Sequence, residues 1–245
     1  MPDYPTVLGV FSHRKNIIVG SGTTKTTHQK LTYWFVRQVG DDTFDIQPLN
    51  IYHVPSGMRE FIKGEAFLSH YTPEPNYYNV NTVPALHSLY EKISKGEEHL
   101  AEGNLDAAEL EFLKALMIDD MNIEANYGLG TVYSEKNEFD KLAKILKVLM
   151  GLGDAFSNEH KERLNAFGVR LRRNGHLDQA TAFLEKAHET NPNDDHILFN
   201  LARVYFDKKE FDKCRTALVQ ALEVNPAFPE AKKFLTYCDK MGSAS

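Results

Sequence analysis

From residue 89 onward, apolar and small residues fall at spacings of three and four, the period of a helical face, and they do so in four registered units. Counting from the small residue at the heart of each unit, the anchors are Gly96, Gly130, Gly168 and Ala202, separated by 34, 38 and 34 residues. Three positions after each anchor stands a bulky residue: His99, Tyr133, Leu171 or Tyr205. A turn residue follows (Gly103, Asn137, Gly175 or Lys209), and then an apolar one (Leu105, Phe139, Leu177 or Phe211). The second half of the first unit sets Ala108, Phe112 and Ala115 on one helical face. Ala180, Leu184 and Ala187 match them in the third unit, and Cys214, Leu218 and Ala221 in the fourth. Small residues let two helix axes approach, and the large one fills the gap between them. Self-similarity at this period predicts stacked helix pairs, because a lone pair cannot bury its apolar face. The units run over 89–122, 123–156, 161–194 and 195–228. Residues 229–240 then predict a capping helix, with Ala231, Phe234, Leu235 and Cys238 on one stripe.

Before residue 84 the period changes. Residues 6–11 and 16–20 read as short strands split by the polar 12–15, and 31–39 as a longer strand holding Tyr33, Trp34 and Phe35. Gly40-Asp41-Asp42 marks a turn into a further strand over 43–47. A helix is predicted to start near Pro55-Ser56, with Met58, Phe61, Ile62, Ala66, Phe67 and Leu68 as its apolar face. Residues 1–70 thus predict a small antiparallel β-rich domain. Residues 71–84, with three prolines and three tyrosines, predict an extended linker pinned by aromatic contacts. Thr82 and Pro84 are start signals for the first repeat helix, which opens the helical region 85–240.

The four units resemble the tetratricopeptide repeat, whose 34-residue units carry small residues at the eighth, twentieth and twenty-seventh places. Asn191-Pro192 and Asn225-Pro226 sit where that family stops between units, since proline cannot continue a helix. The resemblance implies a mostly α fold: a right-handed α–α superhelical solenoid, here behind a small β-rich (α+β) N-terminal domain, a layout similar to bacterial proteins labelled only as tetratricopeptide-repeat proteins. Unit two departs from the pattern with Leu142 and Leu149 at small-residue places, Asp154 for proline, Gly151 and Gly153, and four extra residues at 157–160. A wider spacing or kink between units two and three is therefore expected. Unit one has Asp120 in the proline place.

Charge changes the picture in one respect. The formal charge is −6, and the first 84 residues carry seven basic and seven acidic side chains, so the acidity belongs to the repeats. That argues against bulk nucleic-acid or membrane binding. Cys214 and Cys238 fall at helical core positions and read as small buried hydrophobes in a reducing compartment. No segment has the apolar length of a membrane span, and the amino terminus lacks a signal-peptide layout, so a cytoplasmic location is expected.

Candidate chemistry is sparse. Gly20-Ser21-Gly22-Thr23-Thr24-Lys25-Thr26-Thr27 superficially resembles a phosphate-binding loop, but Thr24 stands where a glycine must precede the lysine, and a strand rather than a helix is predicted to follow. His13, His28, His53 and His70 lack paired ligand spacing, and no serine sits in a nucleophile elbow. No catalysis, metal or cofactor is expected. Alternation puts Tyr33 and Phe35 on one face of their strand and Trp34 on the other, and one of those faces must be core. The other could meet a partner, or stack bases beside Lys30 and Arg37.

The expected binding surface lies on the first helices, where places two, five, nine and twelve oppose the packing face. Unit one presents Tyr90, Ile93, Glu97 and Leu100 there, and unit two Glu124, Tyr127, Thr131 and Ser134. Unit three gives Glu162, Asn165, Val169 and Arg172, with Arg173 beside them, and unit four gives His196, Phe199, Arg203 and Phe206. Family members that clamp the carboxy-terminal tails of chaperones use lysine at place five and asparagine at place nine of their first unit; Ile93 and Glu97 stand there instead. The sequence therefore reads as a non-catalytic adaptor holding a peptide or partner helix with acidic and apolar side chains. Two rivals stay open: a nucleotide- or ligand-binding first domain delivered by the repeats, and a self-associating protein whose linker fills a groove.

Overall fold

The computed structural model describes residues 4–19 and 26–242. Contacts divide the chain into two compact units, Met1–Ser94 with Lys114–Asn122, and Lys95–Leu113 with Ile123–Ser245.

The first unit is built on a five-stranded antiparallel sheet. Its strands are β1 (Thr6–Val19), β2 (Thr26–Gly40), β3 (Thr43–Pro48), β4 (Glu60–Lys63) and β5 (Tyr71–Pro73), in the order β4-β3-β2-β1-β5. Two expectations are corrected here. The polar stretch 12–15 does not break β1, because every residue of it finds a partner on β2, from Ser12↔Tyr33 to Lys15↔Lys30. Nor does one helix run from residue 55. Phe61 and Ile62 belong to β4, paired with Asp45 and Phe44, and the helix α1 is confined to Gly64–His70. Phe67 alone of its expected apolar face is buried, whereas Met58 and Leu68 are exposed.

Both faces of β2 are covered. Val36, Ile46 and Phe67 form a core with Phe11, Trp34, Phe44, Ile62 and Tyr71 packed against it. Tyr33 and Phe35 are met by the segment after β5, which is helical rather than extended. A short turn α2 (Pro75–Tyr77) and a π-helical turn (Tyr78–Thr82) lead into α3 (Val83–Ala101). Tyr77 stacks on Tyr33 with centroids 4.0 Å apart and its hydroxyl lies 2.7 Å from His53 Nδ1, while Tyr78 tilts against Phe35 at 6.2 Å. The linker tyrosines are thus pinned by rings of their own sheet. The end of α4 (Leu105–Ile118) also belongs to this unit: Asn50 Nδ2 donates to the Ile118 carbonyl (2.7 Å) and Ser56 Oγ to Asp119 Oδ1 (2.6 Å).

The second unit continues with α5 (Ile123–Glu135), α6 (Phe139–Gly151), α7 (Lys161–Arg173), α8 (Leu177–Thr190), α9 (Asp195–Asp207), α10 (Phe211–Val224) and α11 (Pro229–Gly242). Helices of a pair pack together, α7 lies on α5 and α9, and α6 lies on α8, the neighbour-only pattern of a solenoid. Each first helix ends in the same way. Gly103, Asn137, Gly175 and Lys209 all take positive φ, between 56° and 79°. Their N–H groups bond the carbonyls of Leu100, Ser134, Arg172 and Phe206, and the next N–H in each case returns to His99, Tyr133, Leu171 or Tyr205. That is the Schellman pairing, which satisfies the last carbonyls of a helix and reverses the chain into the next. Asp194 caps α9 by accepting from Ile197 N (3.0 Å).

Bulky side chains fill the space that small residues leave. Phe112 is fully buried against Gly96 and Gly128, and Leu184 against Gly168. Unit two fills its departures from the pattern: Leu142 and Leu149 are fully buried, and 3-10 turns at Gly153–Phe156 and Asn158–His160 carry Phe156 inward onto Phe183, centroids 5.2 Å apart. A pocket of about 540 Å³ opens between α6 and α8, lined by Ala143, Leu146, Lys147, Met150, Gln179 and Ala182.

Candidate interaction surface

In the second unit the expected first-helix residues divide between core and surface. Tyr127 belongs to the core. Its side chain is 3% exposed, packs edge-on against Phe167 and Phe183, and donates from its hydroxyl to the Ala155 carbonyl over 2.7 Å. Thr131 and Ser134 are buried with it. The reason lies in the neighbouring repeat: Asn174 Nδ2 donates to Ser134 Oγ (3.0 Å), and the His176 ring sits 3.2 Å from the Ser134 carbonyl. The α7–α8 turn therefore covers the end of α5. Burial pushes the Tyr127 phenol far above its usual range.

On α7 and α9 the expected residues come together. Asn165 accepts from Asn200 Nδ2 (3.0 Å), Val169 is half-buried, and Arg173 is exposed. Arg172 Nη1 pairs with Asp207 Oδ2 at 2.6 Å. Arg203 lies over the Phe199 ring at 5.9 Å, and Asp207 follows it by one helical turn on the same face. His196 is exposed, with its ring 5.2 Å from Phe228. Phe199 and Phe206 are not bare anchors, because α11 supplies rings to both. Phe199 meets Phe228 (5.0 Å) and Phe234 (6.0 Å), and Phe206 meets Phe234 (5.2 Å) and Tyr237 (5.4 Å).

A surface pocket of about 450 Å³ results, lined by Phe199, Arg203, Glu230, Lys233, Phe234 and Tyr237. Three of those six, Glu230, Lys233 and Tyr237, occupy places two, five and nine of α11 counted from Pro229. Continuing the repeat register into the end helix would have found them. Burial, with the neighbouring guanidinium groups of Arg172 and Arg173, pulls the Arg203 pKa below the usual arginine range, against the opposing pull of Asp207. Arg163, Arg170, Arg172 and Arg215 each have a carboxylate partner. Arg173 and Arg203 have none among the described residues.

The phosphate-loop likeness, with Lys25, lies outside the described residues apart from the backbone of Thr26 and Thr27, which begins β2. Among the described residues there is no grouping of His, Cys, Asp and Glu that could hold a metal, and no helix is long and apolar enough to cross a membrane. Cys214 and Cys238 are buried thiols; burial, then the adjacent Cys238, pushes the Cys214 pKa up.

Residues 171–236 match the family described as Tetratricopeptide repeat. No curated protein matches the chain. Among solved structures, the chain is similar to a crystal structure of MamA protein, with 22% identity, a TM-score of 0.48, and coverage of 62% of this chain and 81% of that one. It is also similar to PilF of Pseudomonas aeruginosa, at 19% identity and a TM-score of 0.48, covering 64% of this chain and 70% of that one. A thermophilic repeat protein of Thermus thermophilus aligns at 24% identity and a TM-score of 0.43, covering 61% and 80%.

Proposed function

We propose that this tetratricopeptide-repeat protein is a non-catalytic interaction module whose binding surface is the face shared by α7, α9 and α11. Its occupant is a peptide segment or partner helix with acidic and apolar side chains. The observation that carries this reading is the pocket of Phe199, Phe234 and Tyr237 beside Arg203, a half-buried guanidinium with no carboxylate of its own. Rings supply apolar anchors at small entropy cost, and a guanidinium fork recognises carboxylates through paired hydrogen bonds. A single open groove of this kind binds on the order of micromolar, because ordering a flexible peptide offsets much of the contact energy. The polar neighbours Asn165 and His196 extend the face and favour a partner longer than one side chain.

A direct test uses peptide arrays in which Asp or Glu alternates with Leu or Phe, probed with the full chain. The acidic arrays should retain the protein, more weakly as salt rises, and charge-reversed arrays should not. Equal retention of an Arg172→Glu, Arg203→Glu double variant would overturn the assignment of this face.

A further inference from the structure

The charges on this face are not balanced, and the imbalance specifies the occupant more closely than an acidic segment. Arg203 and Asp207 share one face of α9 at a spacing of four, and Arg172 reaches across from α7 to bond Asp207. Arg173 follows Arg172 directly and is exposed. Arg203 therefore lies within electrostatic reach of two other guanidinium groups, Arg172 and Arg173, and of one carboxylate, Asp207, which Arg172 already engages. Glu230 and Lys233 on the opposite wall of the pocket cancel each other, which leaves an excess of two positive charges beside an aromatic-lined cavity. Like charges gathered in a partly desolvated place raise the energy of the empty site, and an anion of matching charge relieves it. One carboxylate carries half of what is needed. A phosphoryl monoester carries about −1.5 to −2 charges at neutral pH and three acceptor oxygens, which matches two free guanidinium forks.

We propose that the partner segment carries a phosphorylated side chain, seated on Arg173 and Arg203, with an apolar neighbour of that side chain in the Phe199–Phe234–Tyr237 pocket. This rests on the reading of the face given above, and the two can fail separately. The committed source is a phosphorylated peptide rather than free phosphate: the aromatic wall adjoins the arginines, and free phosphate would leave it unused.

The test uses the full chain and four fluorescein-labelled degenerate peptide pools, with flanks of Leu, Phe, Ala and Glu and a central phosphoserine, phosphotyrosine, glutamate or serine. Fluorescence anisotropy should show at least one phosphorylated pool binding roughly tenfold more tightly than the glutamate and serine pools, the size expected for charge-assisted hydrogen bonds. Arg203→Gln should abolish that preference while the glutamate pool still binds weakly, and Arg173→Gln should reduce it. Equal binding of the glutamate and phosphorylated pools overturns the phosphoryl assignment and leaves the peptide groove standing. No binding by any pool overturns both. Displacement of the phosphopeptides by inorganic phosphate at equal concentration also refutes the inference, since the site would then read the anion alone.

Discussion

Phe112 occupies the space that a methyl group on Gly128 would need, and Gly96 closes on the same ring from its own helix, where an added Cβ would lie 2.7 Å from it. Within the second unit, one fully buried ring thus holds two first helices at the distance their glycines allow. Gly128→Ala tests this. Alanine favours the helix by about 1 kcal/mol over glycine, but forcing a methyl into a filled core costs about 1–3 kcal/mol. The clash should win, so thermal denaturation should show a lower Tm. Adding Phe112→Leu should recover part of the loss. Gly151→Ala, where an added Cβ meets nothing within 4 Å, should be neutral or stabilising.

Lys209 holds φ at 62° in a turn where Gly103 and Gly175 do the same work without a side chain. A left-handed conformation costs a non-glycine residue about 1–2 kcal/mol. Glycine loses some of that advantage through the greater freedom of its unfolded chain. Lys209→Gly should therefore raise stability by about 0.5–1 kcal/mol in urea denaturation, and an unchanged or lower midpoint would contradict the turn assignment.

Tyr127 distinguishes core from groove. Its hydroxyl bonds the Ala155 carbonyl in the buried interior, so Tyr127→Phe should cost about 1 kcal/mol of stability through the unpaired carbonyl. Peptide binding should be unchanged at temperatures where the variant is folded. A selective loss of binding with normal stability would return Tyr127 to the surface.

Two aspartates predict opposite responses to pH. Burial pushes the Asp119 carboxyl up despite hydrogen bonds from Ser56 and the Met121 N–H. Its contribution to stability is full below the unfolded pKa and is lost as pH rises through the folded value. Asp119→Asn should then raise Tm at neutral pH, with the gain vanishing in acid. Burial also pushes Asp194 up, but Lys161 and the Ile197 N–H outweigh it and hold the carboxyl below its ordinary range. Its contribution is present above the unfolded value and is lost as pH falls toward the folded one. Asp194→Asn, which can still cap α9, should lower Tm at neutral pH and converge with the parent in acid.

Asp207 restrains the arginine cluster by engaging Arg172. Asp207→Asn should strengthen the binding of acidic peptides several-fold and steepen its salt dependence, because one compensating charge is removed from the site. Titration at two ionic strengths checks both effects. Unchanged affinity would mean that the occupant never approaches this charge.

The repeat was legible because its signals are local. The spacing of Gly96, Gly130, Gly168 and Ala202 and the turn residues from Gly103 to Lys209 express constraints that each helix pair meets within its own few dozen residues. The first 84 residues were legible only in part. Strand alternation located Tyr33, Trp34 and Phe35, yet the unbroken β1, the strand at Phe61 and Ile62, and the helical turns after Tyr71 depend on partners distant in the chain. In β1 cross-strand pairing overrode the local polarity of residues 12–15.

The binding face divides the same way. Helical periodicity by itself determined that Asn165, Val169, Arg172, His196, Phe199, Arg203 and Phe206 share one side of their helices, because 3.6 residues per turn leaves no other choice. Which part of that side meets solvent was decided in three dimensions. Phe167 and Phe183 bury Tyr127, the α7–α8 turn covers the end of α5 at Ser134, and α11 lays Phe234 and Tyr237 against Phe199 and Phe206. Exposure depends on what the next layer covers, and periodicity within one helix carries no record of its neighbour.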